Sequence, residues 1–107
     1  MADRFRGQVA LITGSTRGLG RETAQAAAAE GATVVVNSRR QADCNEVAAQ
    51  IQAADGHALG IAADLRELAQ ARMLVETVIA RCGRLDILVN NAGYFDGADR
   101  FWRHSEE

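Results

Sequence analysis

What most constrains this chain is an alternation. Four short runs, at residues 9–13, 33–37, 58–62 and 85–90, are apolar at nearly every position. Unbroken apolarity over so few residues suits strands buried on both faces, whereas a half-solvated sheet would show a polar residue at every second place. Three stretches of helical character lie between them. The third is the clearest: Leu68, Ala71, Val75, Val78, Ile79 and Cys82 recur three or four apart, which predicts one apolar helix face. Each helix runs up to a glycine (Gly31, Gly56, Gly83), the residue that enters the left-handed conformation at a helix end without steric cost.

A β-α-β-α-β-α-β order leaves few topologies. Strands that alternate with helices pair in parallel through right-handed crossovers, so the expected fold class is α/β, a doubly wound parallel sheet. In that class the first strand is central, the second and third lie on one side and the fourth on the other. A length of 107 residues leads us to expect one domain here, with no room for a second. The sheet is expected to be truncated after the fourth strand. Residues 94–104 turn polar and aromatic without periodicity and read as a long loop. Ser105-Glu106-Glu107 then has the chemistry of a helix start, a capping hydroxyl followed by carboxylates at the positive end of the dipole. A solvated polar tail is the plainer reading of the same three residues.

Composition removes several partners. The net charge of -2 gives no reason for nucleic acid or an anionic membrane to bind. No apolar run approaches the roughly 18 residues of a membrane span, and residues 1–6 lack the apolar core of a signal peptide, so a cytoplasmic protein is expected. Cys44 and Cys82 lie in different helices without metal-ligand spacing, and His57 and His104 are isolated, so no metal site is expected. All 12 basic residues are arginine.

The segment TGSTRGLG at residues 13–20 sets Gly14, Gly18 and Gly20 between the first strand and an alanine-rich helix. Such a turn brings backbone N–H groups and the positive end of a helix to one point, a ready anion site. A Walker-type loop requires Gly-Lys-Ser/Thr, and this sequence has no lysine. A dinucleotide remains, although the spacing G-x-x-x-G-x-G differs from the general G-x-G-x-x-G fingerprint. A turn without a ligand is the bland alternative. About twenty residues farther on, NAD-binding chains place a carboxylate that accepts from the ribose hydroxyls. Here Asn37-Ser38-Arg39-Arg40 stands instead. A guanidinium holds a 2′-phosphate that a carboxylate would repel, so NADP is favoured over NAD, with Arg17 approaching from the glycine turn. An ordinary solvated turn is the alternative for Arg39 and Arg40. Asp64 and Glu67 fit the D-x-x-E form of a helix-capping box.

Residues 13–20, Asp64-Leu65 and the LDILVNNAG segment at 85–93, in this order and at these separations, resemble the N-terminal half of the short-chain dehydrogenase/reductase family. The resemblance covers essentially the whole chain and implies a partial Rossmann domain over residues 1–107. It implies that Gly14, Ser15, Arg17, Gly18, Leu19 and Gly20 wrap the pyrophosphate and adenosine side of the cofactor. Ser38 and Arg39 would then read the ribose phosphate, Asp64 and Leu65 would flank the adenine, and Asn91, Ala92 and Gly93 would line the adenosine ribose and support the central strand. For the asparagine pair there is a structural alternative, side-chain amides that satisfy backbone groups at a strand end.

The family's chemistry is hydride transfer between NADP(H) and an alcohol or carbonyl. A tyrosine acts there as acid/base beside a lysine four residues on, assisted by a serine and an asparagine. The sole tyrosine here, Tyr94, has Ala98 at that position, so no catalytic residue is expected and the chain alone is expected to be inactive. Three functions stay open: the cofactor-binding part of an oxidoreductase, a non-catalytic NADP-binding module, and an interaction partner of a complete family member. The expected partners are the dinucleotide and a second copy of the chain, paired through the uncovered strand at 85–90, or a homo-oligomer in a full-length form.

Overall fold

A computed structural model describes residues 3–91. Strands β1 (Val9–Ile12), β2 (Thr33–Val36), β3 (His57–Gly60) and β4 (Ile87–Val89) form one parallel sheet in the order β3-β2-β1-β4. Helices α1 (Gly18–Ala29), α2 (Gln41–Ala53) and α3 (Leu68–Cys82) make the crossovers. The expected class and strand order are both present, with β1 central between β2 and β4.

The side chains of β1 explain why its sequence is apolar throughout. Ala10 and Ile12 enter one core with Ala24 and Ala28 of α1 and Val47 and Ile51 of α2. Val9 and Leu11 point the other way, into a second core with Leu74 and Val78 of α3. A strand covered on both faces has no place for a polar residue. The outer strands are different: β3 and β4 are half-buried, and His57 and Leu88 are exposed. Their apolar runs therefore overstate how deeply they are buried.

At the end of the sheet opposite the glycine turn, Asp86 fastens β4 to β1. Its carboxylate accepts the Val9 N–H at 2.8 Å, its own N–H donates to the Val9 carbonyl at 2.9 Å, and the Arg84 guanidinium grips both carboxylate oxygens at 2.8 Å. This lead-in takes Leu85 and Asp86 out of the strand, which begins only at Ile87.

Two local expectations need correction. In α3 the buried residues are Leu74 and Val78, flanked by Val75 and Cys82, while Leu68 and Ile79 are 61% and 49% exposed. Residues 68, 75 and 79 share one strip of the helix and 74, 78 and 82 the next, and a three-or-four spacing alone does not choose between adjacent strips. At the end of α2 the left-handed residue is Asp55 (φ 69), not Gly56. Gly56 is required for space, because a Cβ there would stand 2.7 Å from Ile51 Cγ2. Gly31 (φ 97) and Gly83 (φ 82) do end their helices left-handed.

Candidate functional site

The carboxyl ends of β1, β2 and β4 open onto a cleft of about 1080 Å³. Its floor is the turn after β1, where Gly14 and Gly18 adopt φ 59 and 60. Gly20, in the first turn of α1, faces back onto that turn: a Cβ there would collide with the Gly14 carbonyl and lie 2.5 Å from Asn91 Nδ2. Helix α1 starts at Gly18 with Arg17 as N-cap, without a side-chain cap and without an acidic residue in its first turn. Its leading N–H groups and the positive end of its dipole are therefore left for a ligand. A turn with left-handed backbone at Gly14 and Gly18 and no room for a side chain at Gly20, set against an uncapped helix start, fits the pyrophosphate of a dinucleotide.

Hydrogen bonds stitch the turn to both neighbouring strands. On one side the Ser15 N–H donates to the Asn37 carbonyl at 2.8 Å, and the Asn37 N–H donates to Ser15 Oγ at 2.9 Å. Ser15 Oγ donates to the Ile12 carbonyl at 2.6 Å, and Asn37 Nδ2 donates to the Ile61 carbonyl at 3.0 Å. On the other side the Thr13 N–H donates to the Val89 carbonyl at 3.0 Å and the Asn91 N–H to Thr13 Oγ1 at 2.8 Å. Asn91 Nδ2 completes the stitch by donating to the Gly14 carbonyl at 3.2 Å. Asn91 thus does what the structural alternative required of it, and it also borders the cleft.

Ser15 is fully buried, with its N–H and hydroxyl both engaged inside the protein, so it shapes the turn from behind. Gly14, Arg17, Ser38, Arg39, Leu65 and Asn91 border the cleft together. Gly18 and Gly20 belong to the cradle, and Leu19 turns its side chain to solvent, 72% exposed. Ala92, Gly93 and Tyr94 lie outside the described residues.

In the turn after β2, Ser38 Oγ accepts the Arg40 N–H at 3.3 Å and sits 3.3 Å from Cys44 Sγ of α2. Asp64 does not form the expected capping box. Its Oδ1 accepts from Nε and the backbone N–H of Arg66 at 3.0 Å each, and its Oδ2 accepts from Arg66 Nη2 at 2.8 Å. A charged bidentate donor two residues away outcompetes the helix N–H groups, and α3 begins at Leu68 with Glu67 as an N-cap that makes no side-chain bond. The Arg66 side chain above all, then its N–H and more weakly the charge of Arg39, holds the Asp64 carboxyl down to about 2.

Sequence reasoning missed Arg21, Asp43 and Glu46, which also border the cleft. The signal for Arg21 was its place one helical turn beyond Arg17, on the same face. Among the described residues no group of three His, Cys, Asp or Glu side chains is placed to hold a metal, and no helix is long and apolar enough to cross a membrane.

Comparison with known proteins shows the family of the chain and its fold. The family model for short chain dehydrogenases matches residues 8–107. An oxidoreductase of Methylorubrum extorquens is 43% identical over 96 residues, covering 89% of this chain and 39% of that protein. The 7alpha-hydroxysteroid dehydrogenase of Clostridium sardiniense is 44% identical over 90 residues, covering 84% of this chain and 34% of that protein. Among solved structures, a metagenomic short-chain oxidoreductase in complex with NADP matches with a TM-score of 0.81 at 39% identity, over 84% of this chain and 41% of that one. The chain thus spans 34% to 39% of the length of these two curated relatives.

Proposed function

The chain belongs to the short chain dehydrogenase family, and on that footing we propose that it is the NADP-binding part of an oxidoreductase that moves hydride between NADP(H) and an alcohol or carbonyl. The bound nicotinamide would supply the hydride chemistry. These residues hold the other end of the cofactor: the uncapped start of α1 takes the pyrophosphate, Leu65 lies beside the adenine, and Ser38 and Arg39 meet the ribose 2′-phosphate. The observation that carries the choice of NADP is the turn directly after β2, where Asn37, Ser38, Arg39 and Arg40 border the cleft and none of the four is a carboxylate; the nearest carboxylates of the lining, Asp43 and Glu46, stand farther on, in α2. A carboxylate there would accept from a ribose diol and repel a phosphate. The structure with bound NADP at 39% identity supports the same reading.

Titration calorimetry of the chain with NADP and with NAD, repeated on Arg39→Asp, tests it. NADP is expected to bind more tightly to the unmutated chain, and the substitution is expected to remove the difference. Equal affinities in the unmutated chain would overturn the proposal. We also propose that the outer edge of β4 pairs with a second copy of the chain, because no described side chain bonds that edge.

A further inference from the structure

Arg21 stands one turn beyond the N-cap of α1 and borders the cleft together with Arg17, Arg39 and Arg40. Its Nη2 donates to Oε1 of Gln50 on α2. Arg66 and Arg84, by contrast, are gripped by the carboxylates of Asp64 and Asp86. A neutral amide oxygen fixes the direction of a guanidinium without cancelling its charge, whereas a carboxylate does both. Two carboxylates of α2, Asp43 and Glu46, border the same cleft and by themselves would repel an anion.

On the NADP reading, we propose that Arg21 is a further ligand of the ribose phosphate and that Gln50 is the positioning residue that aims it. Arg17 and Arg21 come from the start of α1 and Arg39 and Arg40 from the turn after β2, and all four border the one cleft, so a dianion bound there has donors from two elements of the fold. Arg21 also offsets the repulsion from Glu46, which lies one turn before Gln50 on α2. The plainer role for the Arg21–Gln50 bond is to join the two helices, and that role is indifferent to the 2′-phosphate.

The test measures binding of 2′,5′-ADP and 5′-AMP, probes that differ only in that phosphate, to the 107-residue chain and to Arg21→Ala, Arg21→Lys and Gln50→Glu, each checked by thermal melting. Arg21→Ala is expected to weaken 2′,5′-ADP roughly tenfold or more and to leave 5′-AMP unchanged, while Arg21→Lys retains most of the preference. Gln50→Glu keeps the bond between the helices but puts a carboxylate on Arg21, and is expected to weaken 2′,5′-ADP alone. If Arg21→Ala and Gln50→Glu change both probes equally, or neither, the pair only joins helices and the inference falls while the NADP reading stands. If the unmutated chain does not distinguish the probes, or binds neither, the NADP reading falls and this inference with it.

Discussion

Ser15 and Asn37 exchange backbone and side-chain hydrogen bonds across the carboxyl ends of β1 and β2: the Ser15 N–H meets the Asn37 carbonyl at 2.8 Å and the Asn37 N–H meets Ser15 Oγ at 2.9 Å. The glycine turn and the turn that carries Ser38 and Arg39 are thereby tied to each other. Ser15→Ala leaves the buried Asn37 N–H without its acceptor, which costs about 1–3 kcal/mol. In a domain of this size each kcal/mol lowers the melting temperature by about 4–8 °C. Thermal denaturation followed by circular dichroism checks this, and a melt unchanged by the substitution would show that water or a shifted backbone replaces the hydroxyl.

Gly20→Ala acts on the cradle itself. In an unconstrained helix this change is stabilising by roughly 1 kcal/mol, because glycine is the poorer helix former. Here the new methyl meets the Gly14 carbonyl and the Asn91 amide, and backbone must move. The expected result is a less stable chain that loses affinity for NADP and NAD alike, in contrast to Arg39→Asp, which changes their ratio. Calorimetry with both cofactors separates the two effects, and a gain in stability with normal binding would refute the steric account.

Two carboxylates give the fold an acid limit. The Asp86 carboxyl lies below its usual 3.8, chiefly because the Arg84 side chain donates to it and next because the Val9 N–H does. Asp64, held by Arg66, is down to about 2. A depressed folded-state pKa stabilises the fold fully above the unfolded value, and the contribution is lost as pH falls through the folded value. Stability is therefore expected to be flat above about pH 5 and to fall between about pH 4 and 2. Asp86→Asn is expected to flatten part of that slope. Urea unfolding at stepped pH measures it, and an identical slope in the variant would remove Asp86 from the account.

The glycine turn and the strand alternation were legible because glycine punctuation and unbroken apolar runs each have a local structural meaning. What stayed hidden depended on partners distant in sequence. Ser15 reads as a loop residue until Asn37, 22 residues away, takes its hydroxyl. Asp86 reads as a polar interruption of a strand until its carboxylate reaches the Val9 N–H, 77 residues away. The strip of α3 that is buried depends on how the helix is rolled against the sheet, and Leu74 and Leu68 are alike in sequence until that roll is known. Asp64 shows the opposite failure: a local capping pattern lost to a stronger local competitor, Arg66.

The 107 residues contain no lysine, so the lysine that stands four residues beyond the family's catalytic tyrosine is not among them. A general acid must also lie within hydrogen-bond reach of the substrate oxygen. The purified chain is expected to bind NADP and to oxidise no NADPH with a panel of aldehydes and ketones. Absorbance at the nicotinamide band measures this, and turnover that persists after contaminating host enzymes are excluded would show that another group supplies the proton.

Among the described residues the two edges of the sheet are finished differently. Along β3, Gln52 Nε2 donates to the Ala58 carbonyl and Gln41 Nε2 to the Gly60 carbonyl, each at 2.7 Å, and Gln41 Oε1 accepts the Ala62 N–H at 2.9 Å. Side chains of α2 thus occupy the backbone groups that would otherwise recruit another strand. No described side chain does this for β4, where Leu88 is 37% exposed. An unpaired, apolar edge is a template for pairing, and a charge placed on it is a recognised deterrent. Sedimentation velocity across a concentration series is therefore expected to show self-association of the chain, reduced by Leu88→Lys. Gln41→Ala combined with Gln52→Ala is expected to increase it, by opening the second edge. If the unmutated chain stays monomeric at every concentration, β4 is already covered and pairing with a second copy is excluded; if Leu88→Lys associates as before, the contact lies elsewhere on the surface.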